Sequence, residues 1–533
     1  MKVILADPAI TVIGWIPVLD SIGKYTLRVR KTPEEIKAER EALKKYNPNS
    51  TKKIKDVKFE EHTVIEHDIN DPSVVYFLPG LWPRVKAELD KRGLSYEIED
   101  KRNPDIRPPI AFDQLGGVDF RKGQDVALAL IANSDTGIIE TSTAWGKSFL
   151  VSVLCKALPT LNIVVCSSAT TVVSTLYEYL DKQLPGQVGF LYSKGDKTKG
   201  KRVIVTTLKS LAKLPAENVH MVLVDECHDV GAGEAGRNLM RFCFARRFGF
   251  SASPVRNDGS GLVMESICGP TILRMTYDEA VDAGMVTPMK YLMLHCSGCP
   301  SIVHNPDMPD VFKKRFSYWC NSYRNKVIAS TVYDIKKVSD CQILIVVATL
   351  EHAIRLHMQL PWFKVAYYGA TDLKDIQKKF PKEKYPDLDL SQYKTTAKQL
   401  DIMRQAFAKG TLKYIISTYV FRQGCNFPDL QVLIRADGAT SEVMGIQIPG
   451  RVARLAEGKK FAYLIDVDDA FDPWAEGRAK KRKELYDKQK WIPISRKELL
   501  DDLSAGDAKS TADDLRDGST EEAESGEDNF SAQ

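Results

Sequence analysis

Short, continuous apolar runs alternate with helical stretches through most of the chain. Ile163-Val164-Val165-Cys166, Val203-Ile204-Val205, Met221-Val222-Leu223-Val224 and Phe248-Gly249-Phe250 form one series. A second comprises Ile343 to Val347, Phe363 to Tyr367, Tyr414 to Ser417, Val432 to Ile434 and Phe461 to Ile465. Runs of β-branched residues without polar alternation are what a parallel sheet covered on both faces requires. Two such series predict two doubly wound α/β domains in tandem, joined between Met285 and Pro300.

Residues 1–108 precede both series. The stretch from Thr32 to Lys58 is charged, helical at first and turn-rich at Asn47-Pro48-Asn49. Val74 to Phe77 reads as a strand, and Pro83 opens a helix, Arg84 to Arg92, stopped by Gly93. The proline-bearing segment Asn103 to Pro109 is a natural boundary. The apolar start, Ala9 to Leu19, is interrupted by Gly14 and Pro17 and followed by no small-residue cleavage site, so it reads as strands rather than a signal peptide. The expected organisation is a small α+β accessory domain (1–108), a first doubly wound α/β domain (109–290), a second (291–475), then a basic helix and an acidic, disordered tail (476–533). Asp372 to Lys398, lysine-rich and proline-bearing, looks like a solvated insertion in the second α/β domain.

Composition adds a compartment and a partner. The ten cysteines are scattered singly over 533 residues, which fits a reducing environment, and a cytosolic location is expected. Cys296 and Cys299 beside His295 lack a second pair at zinc-binding spacing; Cys268, Cys320 and His304 are too dispersed, and the pair reads as ordinary thiols. The net charge is +5, but residues 501–533 hold eleven acids against Lys509 and Arg516, so the tail carries −9 and the body +14. A basic body with an acidic tail suggests a polyanionic partner such as nucleic acid.

The chemistry lies at two strand ends. Gly137 to Glu140 is an apolar strand that runs into the small-residue loop Thr141 to Gly146, then Lys147-Ser148 and a helix. That order aims backbone N–H groups and a helix N-terminus at a phosphate chain, with Lys147 reaching the β/γ-phosphates and Ser148 placed for Mg²⁺. Thr141 replaces the usual leading glycine, and Trp145 stands where a small residue is commoner. The strand Met221 to Val224 ends in Asp225-Glu226. Asp225 can hold Mg²⁺ through water, and Glu226 can orient and deprotonate an attacking water.

The sequence resembles the superfamily 2 helicases of the DExH type over roughly residues 110–470. Phe120-Arg121-Lys122-Gly123-Gln124 resembles the adenine-recognising segment, with Gln124 as the base contact. Gly249 to Asp258, through Ser251-Ala252-Ser253-Pro254, is similar to the coupling motif, and Ser251 and Ser253 would link the γ-phosphate and nucleic-acid sites. Ser417 to Asn426 is similar to the fifth motif and Gln447-Ile448-Pro449-Gly450-Arg451-Val452-Ala453-Arg454 to the sixth. The resemblance implies nucleotide contacts from Gln124, Thr143, Gly146, Lys147, Ser148, Asp225 and Gly424. It implies catalytic roles for Glu226, Gln447, Arg451 and Arg454, the two arginines lying three apart on one helix face and stabilising the transferring phosphoryl charge. Ser168, Thr207 and Thr418 would contact the nucleic-acid backbone, which carries no sequence information. Ser167 to Thr171 lacks the family's usual proline.

Gly269-Pro270, Tyr277 to Gly284 and Val286-Thr287-Pro288 look like the domain-one exit of XPB-like and phage UvsW-like helicases. Leu78-Pro79-Gly80-Leu81-Trp82-Pro83 resembles the accessory domain of the latter. The implied activity is an ATP hydrolase with ATP and Mg²⁺ as cofactors. It would couple hydrolysis to 3′-to-5′ movement and to unwinding or branch migration of branched or duplex DNA in recombination or repair. Single-strand-binding or recombination proteins would be further partners, with no membrane. An RNA helicase, a restriction-type motor subunit and an ATP-gated DNA-binding scaffold are the alternatives. The basic run 478–497, with Tyr486 and Trp491 interleaved, reads equally as a duplex-tracking or strand-stacking helix and as a solvated one.

Overall fold

The computed structural model describes residues 1–505 except 7–8, 47–56, 111–117, 143–144, 232, 253–257, 299–307, 368–372, 422–426, 441–444 and 447. The chain divides into two compact units, Met1–Ala283 and Gly284–Gln533.

The first unit begins with a five-stranded sheet built from β1 (Lys2–Leu5), β2 (Ile10–Ile13), β5 (Ile65–His67), β6 (Val74–Phe77) and β7 (Glu97–Asp100), in the order β5-β6-β2-β1-β7. Between β2 and β5 the chain makes an antiparallel ribbon of β3 (Lys24–Arg30) and β4 (Val57–Thr63). Val3, Val12, Val75 and Phe77 pack against Leu81, Val85 and Leu89 of the turn and helix that follow β6. The 3₁₀ turn Pro79–Leu81 presses directly on the helix Gly261–Cys268. A Cβ on Gly80 would lie 2.5 Å from the carbonyl oxygens of Glu265 and Ser266, so only glycine fits. Arg84 closes the contact with two hydrogen bonds to the Glu265 carboxylate, at 2.7 and 2.6 Å.

The second sheet of this unit has eight strands: β8 (Thr136–Glu140), β9 (Ile163–Ser167), β10 (Val188–Tyr192), β11 (Gly195–Asp196), β12 (Val203–Thr207), β13 (Met221–Asp225), β14 (Arg246–Ser251) and β15 (Thr271–Arg274). Their order is β11-β10-β12-β9-β13-β14-β8-β15, parallel except for the β10–β11 hairpin. Strands β9, β12 and β14 are buried along their whole length, as the unbroken apolar runs require.

The second unit is built on a seven-stranded, fully parallel sheet. It comprises β16 (Met289–Cys296), β17 (Gln342–Val346), β18 (Lys364–Ala366), β19 (Tyr414–Ser417), β20 (Leu430–Arg435), β21 (Ala462–Asp469) and β22 (Ile492–Pro493), in the order β18-β19-β17-β20-β21-β16-β22. Two parallel sheets in tandem, each flanked by helices, are the two doubly wound α/β domains expected from the apolar series, the RecA-like pair that the helicase resemblance implies.

Three expectations need correcting. The junction placed at 290/291 falls inside β16, which pairs along its full length with β21. The run 476–505 is not an appendage. Pro473–Lys488 is a helix against β21 whose Arg482 and Tyr486 are buried, Trp491 is buried beside Tyr486, and β22 extends the sheet. A strand-stacking role for Tyr486 and Trp491 is therefore excluded, because stacking needs exposed rings. The stretch Asp372 to Lys398 is likewise not a solvated insertion: Ile376, Phe380, Leu390 and Tyr393 enter the domain core. The expected tail disorder concerns residues 506–533, which lie outside the described residues. No helix among the described residues is long and apolar enough to cross a membrane.

Candidate nucleotide site

Because β8, β9, β12, β13 and β14 are parallel neighbours, their C-terminal ends and the loops after them open on one edge of the sheet. That edge collects Thr141 to Ser148, Ser168, Thr207, Asp225-Glu226 and Ser251. The loop after β8 is pinned by a hydrogen bond from Thr141 N–H to the Ser251 carbonyl, 3.0 Å. It ends at Gly146, whose φ of +97° turns the chain into the helix Lys147–Ala157. Glycine is required there twice over, by the left-handed backbone and because a Cβ would lie 2.8 Å from Gln124 Nε2. Lys147 is buried at the helix start and donates from Nζ to the Thr141 carbonyl at 3.2 Å, so its ammonium is already folded over the loop. Ser148 is exposed on the first turn. Thr143 lies outside the described residues.

Trp145 explains its own presence. Its ring is fully buried and its indole N–H donates to the Lys122 carbonyl, 3.2 Å. Gln124 is buried beneath the same loop. Its amide oxygen accepts from Arg121 N–H at 3.0 Å and its Nε2 donates to the Trp145 carbonyl at 3.0 Å. The side chain expected at the base thus also braces the phosphate loop, a role its place in a sequence motif does not announce.

At the end of β13 Asp225 and Glu226 stand side by side. Burial and then the Glu226 charge push Asp225 up to about 7, with Lys147 opposing. Glu226 adopts a left-handed backbone (φ 55°), unusual for a side-chain-bearing residue and found where a site over-determines it. His228 Nδ1 lies 3.4 Å from Glu226 Oε2 and 3.0 Å from Ser251 Oγ, so one imidazole joins the carboxylate to the end of β14. Next to it the Ser168 hydroxyl bonds the Asp229 carboxylate. A divalent cation fits this donor set. It would favour the ionised form of an aspartate that burial now holds high, and the oxygens of Asp225 and Ser148 are hard donors of the kind Mg²⁺ takes. Among the described residues no group of three or more His, Cys, Asp or Glu could hold a metal alone, so nucleotide phosphates and water would complete the shell.

The other predicted contacts divide. Thr207 is buried, its hydroxyl bonding Ser210 Oγ at 2.9 Å and accepting from Ser210 N–H at 3.1 Å, which closes a local turn. Thr418 is buried and its N–H donates to the Ala366 carbonyl at 3.2 Å, so backbone pairing holds it. Gln447, Gly424 and Ser253 lie outside the described residues. The helix expected to carry Arg451 and Arg454 is a short 3₁₀ turn, Pro449–Arg451, and Arg454 falls beyond its end. Thr287, in the run Val286-Thr287-Pro288, has no role that a sequence motif announces. Its N–H donates to the Ala453 carbonyl at 2.7 Å and its hydroxyl to the Arg454 carbonyl at 3.0 Å.

Comparison with known proteins places this geometry. The family described as type III restriction enzyme, res subunit, matches residues 117–256, and the helicase conserved C-terminal domain matches residues 329–456. Together they span about half of the chain, one on each RecA-like domain, in helicase order. The chain belongs to the superfamily 2 helicases. This helicase is 24% identical over 485 residues to a helicase-like protein of the Sulfolobus islandicus filamentous virus, covering 83% of this chain and 80% of the viral one. It is 22% identical over 410 residues to the DNA 3′-5′ translocase XPB2 of Sulfurisphaera tokodaii, covering 71% of this chain and 88% of that protein. Among solved structures the helicase is similar in fold to S. cerevisiae Dbp5 bound to RNA and ADP BeF3, with a TM-score of 0.51 and 14% identity, over 78% of this chain and 99% of that one. Membership implies an ATP-dependent, nucleic-acid-binding helicase in general terms.

Proposed function

We propose that this helicase is a DNA translocase that couples ATP hydrolysis to 3′-to-5′ movement, unwinding or branch-migrating duplex and branched DNA in recombination or repair. The observation that carries the reading is the single sheet edge on which the phosphate loop, the Asp225-Glu226 pair and the His228–Ser251 link meet. The choice of DNA and of polarity is supported by the relative named as a DNA 3′-5′ translocase, matched over most of both chains.

In this reading Lys147 leaves the Thr141 carbonyl for the nucleotide's phosphate oxygens. Glu226 accepts the proton of the attacking water. Ser148 and Asp225 would hold Mg²⁺, which when bound would neutralise charge on the phosphates. Arg451, Arg454 and Gln447 of the second domain meet the phosphoryl charge, and Gly424 lines the nucleotide from that side. Ser251 and Ser253 pass the change to the DNA backbone, for which Ser168 offers an exposed hydroxyl, while Thr207 and Thr418, both buried, hold the loops that face it. Residues 1–108 select DNA structure.

The test is ATPase and unwinding measured in parallel on forked, Holliday-type and single-stranded DNA and on duplex RNA. Stimulation and unwinding by branched DNA are expected. Equal stimulation by duplex RNA would favour an RNA helicase. Stimulation by linear duplex without unwinding would favour a motor subunit that needs a partner.

A further inference from the structure

Where the backbone hydrogen bonds of residues 452–454 go can be answered group by group. The 3₁₀ turn stops at Arg451, so the next three carbonyl groups lie beyond a helical run. All three are taken by side chains or backbone from elsewhere in the domain. Thr287 N–H takes Ala453, and the Thr287 hydroxyl takes Arg454. The rest is done by Lys459. Its ammonium lies 2.5 Å from the Val452 carbonyl oxygen and 3.2 Å from that of Arg454. The same nitrogen lies 3.1 Å from the Pro428 carbonyl oxygen and 2.6 Å from that of Leu430.

An ammonium has three donors, and here four carbonyl oxygens surround it. Two belong to the segment that carries Arg454, and two to the entry into β20, directly after the fifth-motif stretch 417–426. A lysine normally keeps its head in water. This one ends in a cage of backbone oxygens, where burial pushes its amine down to about 7 while Asp429 pulls it up. The carbonyls also favour the charged form by hydrogen bonding to it. A compact ammonium suits such a cage, whereas the planar guanidinium of arginine would spread its donors in one plane.

We propose that Lys459 is a positioning residue for Arg454, its ammonium clamping the arginine's backbone to the start of β20 in place of helical hydrogen bonds. Thr287 completes the clamp from the segment that leads into the second domain. The inference rests on the assignment of Arg454 to phosphoryl-charge stabilisation. A 1 Å misplacement of a group that acts in the transition state costs rate rather than ground-state binding.

The test uses full-length protein with Lys459→Met, Thr287→Val, Arg454→Ala and the pairs Lys459→Met/Arg454→Ala and Thr287→Val/Arg454→Ala. Nucleic-acid-stimulated kcat is normalised to nucleotide-binding sites, so that unfolded protein does not count. Lys459→Met is expected to lose about tenfold or more in kcat, with the ATP dissociation constant within about twofold. The Lys459→Met/Arg454→Ala pair should be no slower than Arg454→Ala alone, because both changes disable the same arginine. Multiplicative losses in that pair, or a normal kcat for Lys459→Met beside an impaired Arg454→Ala, would overturn the clamp. If Lys459→Met does not fold, Thr287→Val decides by the same comparison: a kcat loss of about fivefold that vanishes in the Arg454→Ala background supports the clamp, and no loss overturns it. A wild-type rate for Arg454→Ala would instead refute the assignment of the arginine, which that single variant reads separately.

Discussion

His228 Nδ1 lies 3.0 Å from Ser251 Oγ, and both side chains are buried. The contact joins the carboxylate loop after β13 to the end of β14, and β14 also holds the phosphate loop through Thr141. A charge change at Glu226 is therefore one imidazole away from the segment that leaves β14. Ser251→Ala removes the hydroxyl and little volume. It should leave ATP affinity within about twofold while nucleic-acid stimulation of turnover falls about five- to thirtyfold, as a coupling loss of about 1–2 kcal/mol would give. Comparing ATPase rates with and without DNA checks this; equal stimulation would remove the link from the coupling route.

Glu226→Gln keeps size but cannot accept a proton from water. ATP binding should persist while single-turnover hydrolysis falls by about two to four orders of magnitude. Lys147→Ala should weaken ATP binding as well, because the ammonium meets ground-state phosphates. Near-normal hydrolysis by Glu226→Gln would sink the mechanism.

Removal of the acidic tail has to begin after Ala505. Leu499 and Leu503 are buried in the second domain, and Asp502 pairs with Lys290 at 2.6 Å, so a cut at 501 would take folded structure with it. Deleting residues 506–533 should tighten DNA binding at low salt and change it little at high salt, where screening already weakens the competition. Titrations at two ionic strengths read this directly.

The second domain holds a buried network of three arginines and three aspartates. Arg482 bonds Asp466 at 2.9 Å and Asp469 at 3.0 Å, Arg324 bonds Asp469 at 2.7 Å, and Arg435 reaches Asp437 at 3.3 Å. The Tyr486 hydroxyl bridges Arg435 (3.0 Å) and Asp466 (2.5 Å). Charges balance, so removing one partner strands another. Arg482→Met should cost about 3–5 kcal/mol in urea unfolding of the full chain. Tyr486→Phe should cost about 1–3 kcal/mol, since only a hydroxyl goes.

Glu351 is one acid-sensitive point of the second domain. Burial would raise it, but Arg315 (2.7 Å), the Cys320 thiol (3.1 Å) and Lys379 (3.3 Å) outweigh that and hold it down to about 2. A carboxyl held below its usual 4.5 contributes stability that is complete above that pH and lost as pH falls toward 2. The stability gap between wild type and Glu351→Gln should thus be constant from pH 7 to about 5 and shrink by pH 3. Urea midpoints at these values measure it, and a gap that widens in acid would contradict the pairing.

What the sequence determined by itself was whatever depends on neighbours along the chain. Unbroken apolar runs announced buried parallel strands, and Gly146-Lys147-Ser148 and Asp225-Glu226 announced their chemistry, because a strand end, a loop and a helix start are local objects. Tertiary structure decided which distant groups meet. Half the promise of the basic helix vanished when Arg482 and Tyr486 turned inward to Asp466. Arg324 and Asp469 are 145 residues apart, and nothing in either segment names the other. β16 reads as a linker until β21 lies beside it. Gln124 became a brace, and Lys459, one of two ordinary-looking lysines after Gly458, found four carbonyl oxygens. A lysine's pattern along the chain is the same whether its head meets water or backbone, and only the packed fold sets which.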